Sequence, residues 1–254
     1  MFGFLSSPPP WEEMSWWGEN VISDKTSHMA LILNMKTARL RAEVDALLKG
    51  GSKTTSKIDR ALNLLQQARQ LLAKLTSWVE SSSSTHYAHK VVGYISHVPD
   101  DRLADAFAFP GWLFDYPDLW VAGKHLNTNA SRVVLASIVA RCMVWVCAPC
   151  DPTATSDYAE VERLGKDAVA SVVSSVPYFT KWSGDSTTTP FFPCGAPTDP
   201  KSFAGMICLY PLLATTLSEF ATARQKKFIR GRMAYMAEMT GFRQAELFSR
   251  MGKP

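Results

Sequence analysis

The chain carries no strong charge of either sign. Its 27 Lys and Arg against 23 Asp and Glu leave a formal +4 over 254 residues, too little for the basic footprint of a nucleic-acid binder. Cysteine is sparse and odd in number, five in all. A chain of this length needs no disulfide staples, so the count fits a reducing compartment. Gly-rich phosphate-cradling loops and a Gly-x-Ser-x-Gly elbow are missing. Met1 to Pro10 contains no Lys or Arg and its apolar run stops at Leu5, so no secretory signal is expected. The longest apolar run, Val133 to Pro149, is short for a membrane crossing and holds Arg141, where a charge costs about 2.5–3.5 kcal/mol. Phe203 to Ser218 is shorter than a span and holds Pro211. Both are expected to be buried core helices, with no membrane partner.

What is present is ordinary globular material, 46% hydrophobic and 11% aromatic, enough for one sizeable core. Residues 1–26 form an irregular leader: Pro8-Pro9-Pro10, Trp11, Trp16 and Trp17 stand with Glu12, Glu13 and Glu19, and no cation precedes Lys25. Such an acidic, aromatic segment either packs on the chain's own helices or serves as a partner-binding peptide, and the first reading is preferred. Residues 27–254 are expected to form a single helical domain.

Leu33, Leu40, Val44 and Leu47 recur at helical spacing up to the stop signal Gly50-Gly51. Ile58, Leu62, Leu65, Leu72, Leu75 and Val79 repeat the pattern between Lys53 and Glu80, so an antiparallel helical hairpin is expected at the start of the domain. Asp118 sits where a helix cap belongs, ahead of an apolar helix ending near Pro149 that should be central. Asp157 with Glu160 reads as a capping box for a helix closed by Pro177. Asp199-Pro200 opens a helix that Pro211 should kink, and further helices run from Thr222 to Thr240 and from Arg243 to Arg250. No strand pattern of useful length appears. The expected fold is all-α, an irregular multi-helix array with a helical hairpin first.

Groups that could carry chemistry are scattered. Cys142, Cys147 and Cys150 offer three thiols without a fourth ligand, so no metal is expected. Asp100, Asp101 and Asp105 resemble the aspartate-rich run of class I terpene cyclases, but Leu135 stands where the companion motif wants a Glu. The preferred reading is that Asp100 or Asp101 caps a helix after Pro99. With His125, the carboxylates of Asp101 and Asp105 make the catalytic set of an alternative, enzymatic reading; His86 and His89 could share a helix face. The tail from Ala221 to Pro254 holds eight Lys or Arg against two acids, read as a solvated or acid-pairing face and not as a DNA contact.

Two blocks carry a family resemblance. Tyr116-Pro117-Asp118-Leu119-Trp120-Val121-Ala122, followed by Asn127 and Arg132, resembles the central regulatory segment of fungal binuclear zinc-cluster transcription factors. Tyr210-Pro211-Leu212-Leu213-Ala214, Arg224-Gln225 and Met239-Thr240-Gly241-Phe242-Arg243-Gln244-Ala245 are similar to the closing helices of the same domain. The resemblance covers residues 30–251. The six-cysteine zinc cluster with which that family reads DNA has no counterpart among these residues. The resemblance therefore implies the regulatory half of such a factor, nuclear, linked to secondary-metabolite biosynthesis and without direct DNA binding. Its partners would be the transcription machinery or another regulator, with a small apolar effector possible and no cofactor. Phe107, Trp112, Phe114, Trp120 and Tyr210 are the expected walls of an effector pocket. The alternative is an accessory enzyme, a cyclase or isomerase, on the same scaffold.

Overall fold

A computed structural model describes residues 25–49, 52–82, 88–180 and 202–251. The leader before Lys25, the Gly50-Gly51 turn, His86 and the Asp199-Pro200 cap lie outside the described residues. Among those described, seven helices and one two-stranded ribbon make the fold overwhelmingly helical: α1 (Lys25–Lys49), α2 (Thr55–Ser82), β1 (Lys90–Ile95), β2 (Gly111–Asp115), α3 (Leu119–Cys147), α4 (Ser156–Thr180), α5 (Ser202–Leu217), α6 (Ala223–Thr240) and α7 (Arg243–Arg250). The chain divides into two compact units, one built from residues 1–78 and 134–164, the other from 79–133 and 165–254.

In the first unit α1 buries Leu33, Leu40 and Val44, as its spacing predicts. On α2 the buried stripe is Ala61, Leu64, Ala68, Leu72 and Leu75, whereas Leu62 is exposed. The expected stripe was thus partly out of phase, because the doublets Leu64-Leu65 and Leu71-Leu72 fit two faces and small alanines fill the contact face. Arg60 reaches Glu43 at 2.6 Å, joining the end of α1 to the start of α2 as a hairpin does. Arg141, set in apolar α3, is paired with Asp45 at 2.8 Å. Lys53 donates to the carbonyls of Val146 and Ala148, each at 2.8 Å.

Both ends of α4 differ from the sequence reading. Thr155, not Asp157, caps α4: its Oγ1 accepts from the Tyr158 amide at 3.2 Å. Asp157 instead holds Arg69 at 3.0 Å and Glu160 holds Arg163. Pro177 does not close α4, which continues to Thr180.

The second unit contains the ribbon that the sequence reading missed. β1 and β2 pair antiparallel, with Val91 opposite Phe114, Tyr94 opposite Trp112 and Ile95 opposite Gly111. An irregularity between Val91 and Gly93 breaks the two-residue alternation, and the strands are only six and five residues long. Leu113 and Ile95 are buried with Ala108, while Tyr94 and Trp112 meet edge to face on the opposite, exposed face, their ring centres 4.8 Å apart. Gly111 opens β2 at φ 138°, a backbone setting that other residues rarely adopt.

α3 starts as read, the Asp118 carboxylate accepting from the Val121 amide at 2.8 Å. It is 29 residues long, and by length and composition it could cross a membrane, yet 56% of its most apolar stretch is buried inside the protein. It packs as a core helix. α6 is bounded by a reciprocal Thr222–Gln225 capping box and by Gly241 in the left-handed region at φ 71°.

The loop between β1 and β2 is fastened to α6. Arg224 pairs with the Asp100 carboxylate at 2.9 Å and donates to the Val98 carbonyl at 2.9 Å. Lys227 donates to the Asp100 carbonyl at 2.6 Å. Gly231 lets the Ala104 carbonyl lie against the helix, where a Cβ would stand only 1.8 Å from that oxygen. A helix-interior Gly→Ala change ordinarily stabilises by up to about 1 kcal/mol. Gly231→Ala is expected to destabilise instead, by about 1–3 kcal/mol, read as a lower denaturant midpoint. A raised midpoint would mean that the loop is not seated there.

Candidate functional site

Three places in the described structure concentrate functional side chains. The first surrounds Tyr116. The last residue of β2 and the cap at Asp118 fix the entry to α3, which sets His125 two turns along, 2% exposed. His89, just ahead of β1, lies with its ring centre 4.0 Å from Phe114 and 5.8 Å from His125. Tyr116 is 5.5 Å from His125 and 5.2 Å from Tyr178. The Ser175 hydroxyl donates to the Ser171 carbonyl at 2.8 Å. Its one proton is then spent, so Tyr116 donates to Ser175 Oγ at 2.7 Å. Burial pushes the Tyr116 phenol well above its usual range and draws the His89 imidazole below its own. Burial thus favours the neutral form of both groups.

The second place is Arg232, 2% exposed on α6. Its guanidinium lies 4.9 Å from the rings of both Phe107 and Tyr235 and donates to the Ala104 carbonyl at 3.2 Å. Nε and Nη1 have no hydrogen-bond partner among the described residues. Burial brings its pKa down to about 10, so the cation persists at neutral pH, held chiefly by two aromatic faces.

The third is a groove of about 750 Å³ between α1 and α2. Ile32, Met35, Leu40 and Leu71 supply its apolar lining, and Lys36, Arg39, Arg60 and Lys74 outnumber the single acid, Glu43. Arg39 and Arg60 both bind Glu43.

The expected effector-pocket residues fall in separate surroundings. Phe107 packs on Tyr235 and Arg232, and Phe114 on His89. Trp112 and Trp120 are 57% and 69% exposed, the latter beneath Lys124, and exposed Tyr210 lies against Phe248. None of the five lines the groove. The groups of the enzymatic alternative also differ in setting: Asp101 and Asp105 are exposed on the β1–β2 loop, whereas His125 is buried. Asp100 pairs with Arg224 in a run of turns, so the expected helix cap after Pro99 is replaced by an ion pair. Among the described residues no three His, Cys, Asp or Glu side chains are grouped as metal ligands. Cys142 and Cys208 are buried, whereas Cys147 and Cys150 are exposed.

Sequence reasoning missed the ion-paired loop, Arg232 and the groove. The capping-box residues Thr222 and Gln225 were a readable start signal for α6; the partners of its cations were not readable.

In comparisons with known proteins, the chain is 22% identical over 202 residues to the transcription factor dbaG of Emericella nidulans, an overlap of 76% of this chain and 44% of that protein. The chain thus spans less than half the length of this relative. No family model matches the chain, and no solved structure matches it. The sequence is distantly similar to a fungal transcription factor.

The Tyr116 cluster yields two expected outcomes. Tyr116→Phe removes one buried hydrogen bond and should cost about 1 kcal/mol, whereas Ser175→Ala strands the Tyr116 hydroxyl and should cost about 1–3 kcal/mol. Equal midpoints in denaturant unfolding would contradict this asymmetry. His89 takes up its proton at lower pH folded than unfolded, so between those two values the unfolded chain binds more protons. Its stabilising effect is full above the ordinary histidine value, about 6.5, and is lost as the pH falls through the window below it. Denaturant midpoints of the wild type should therefore drop more steeply from pH 7.5 to 5 than those of His89→Phe.

Proposed function

We propose that residues 27–254 act as a regulatory, contact-making domain of the transcription-regulator type, working through protein partners or a small apolar effector. The single observation that carries this reading is the similarity to dbaG, which extends over three quarters of the chain. The described side chains are in keeping with it. The exposed apolar residues Val91, Tyr94, Trp112 and Trp120, and the groove of α1 and α2, are surfaces for contact, whereas the buried His125 and the exposed Asp101 and Asp105 lie in unlike environments. In this proposal the protein resides in the nucleus, meets the transcription machinery or a second regulator, and serves the control of fungal secondary-metabolite genes. It needs no cofactor and reads no DNA itself.

Deleting the gene and profiling transcripts and metabolites together tests the reading. The expected result is a fall in transcripts of a biosynthetic gene set, with product and intermediates declining together. Unchanged transcripts with one accumulated intermediate would overturn it in favour of a catalytic step. In solution, the purified chain is expected to bind promoter DNA no tighter than the roughly micromolar level of non-specific association at physiological salt.

A further inference from the structure

The groove between the two long helices α1 and α2 is lined by the apolar side chains Ile32, Met35, Leu40 and Leu71 beside Gln67, Gln70, four cations and Glu43. Two of its four cations, Arg39 and Arg60, are satisfied by Glu43. Lys36 and Lys74 line it as well and form no ion pair among the described residues. An occupant that fits must bring apolar side chains for Ile32, Met35 and Leu71 and carboxylates for the two lysines.

Residues 1–24 have that composition. They contain Phe2, Phe4, Trp11, Trp16 and Trp17 together with Glu12, Glu13, Glu19 and Asp24, and not one Lys or Arg. The segment is also tethered beside the groove. Asp24 precedes α1 directly, and Ile32, the first groove residue, is eight positions on, about 12 Å along a helix. From Ile32 to Glu43 the groove follows α1 for about 17 Å, while 24 residues reach up to about 80 Å when extended. Turning back along α1 therefore needs only a fraction of the available chain, and the tether gives this segment a high effective concentration over any free competitor.

We propose that residues 1–24 are the occupant of the α1–α2 groove, with their tryptophans on the apolar lining and their carboxylates facing Lys36 and Lys74. The segment then acts as a built-in competitor: an acidic, aromatic stretch of another protein must displace it to use the same groove.

The test uses the full chain with a photo-crosslinking benzoylphenylalanine in place of Trp16. Irradiation followed by peptide mass spectrometry should yield adducts on the α1 segment around Ile32–Lys36 and the α2 segment around Leu71–Lys74. An equal mixture of ¹⁴N and ¹⁵N chains should give no mixed-isotope adduct. The double variant Lys36→Glu/Lys74→Glu, whose two exposed substitutions leave the helical circular-dichroism signal intact, should lower adduct yield about fivefold or more. Adding Glu12→Lys/Glu13→Lys should restore it. Adducts elsewhere on the chain, none on the groove, mixed-isotope adducts that mark a second copy as occupant, or a yield indifferent to charge reversal would each overturn the proposal.

Discussion

A buried cation must be given a partner, and this requirement organises most of what is distinctive in the protein. Helix α3 is apolar on nearly every side, yet it contains Arg132 and Arg141. Arg132, 6% exposed, donates to Asn129 Oδ1 at 2.8 Å within the same helix. Arg141 takes Asp45 of α1. Without its partner, buried Arg132 would strand charge in apolar surroundings at a cost of several kcal/mol, whereas Arg141 is exposed and its pair with Asp45 contributes only about 0–1 kcal/mol. On α6 the rule governs buried Arg232, which lies against two aromatic rings and donates to a carbonyl, whereas Arg224 and Lys227 are exposed and bind the β1–β2 loop from the surface.

That loop shows how local rules combine. Asp100 and its neighbours resemble a helix start when read alone, and the preceding Pro99 strengthens the impression. In the folded chain the loop runs beside a helix that offers two cations and a glycine. The glycine admits the Ala104 carbonyl, and the Asp100 carboxylate finds Arg224. The exposed ion pair alone contributes about 0–1 kcal/mol, so it is the ion pair together with the bonds to the Val98, Asp100 and Ala104 carbonyls that outweighs a local cap of about 1 kcal/mol.

The legible parts of the fold were those whose signal is periodic over many turns. The existence of every described helix was readable, as were the Asp118 cap and the Gly241 stop, because each is fixed within one or two turns of sequence. The α2 stripe was legible only in part, since doubled leucines satisfy two phases and the choice between them lies in Ala61 and Ala68. The ribbon was not legible: a strand of six residues with an irregularity at Val92 presents no alternation, and Trp112-Leu113-Phe114 reads as a continuous apolar run. The Tyr116 cluster and the Arg232 sandwich were not legible either, because rings at positions 89, 114, 116, 125 and 178 meet only through tertiary structure. Richness in aromatic residues marked the right stretch of chain but could not tell Phe114, which packs on His89, from Trp112 two residues earlier on the outer face.

That distinction bears on what the protein can do. Alternate residues of a short ribbon point to opposite sides, so a stretch dense in aromatics divides its rings between a core and a surface and concentrates neither into a chamber. Phe114 and Tyr116 close an interior in which the Tyr116 hydroxyl is bonded to Ser175 and the rings of His89 and His125 pack on the aromatic side chains. Tyr94 and Trp112 remain outside as an exposed aromatic pair, each with only two side-chain torsions to fix on contact. Catalysis needs reactive groups brought together and charge stabilised where it develops; recognition needs rigid apolar anchors beside polar edges. Tyr94 and Trp112, on the outer face of the ribbon, meet the second set of conditions.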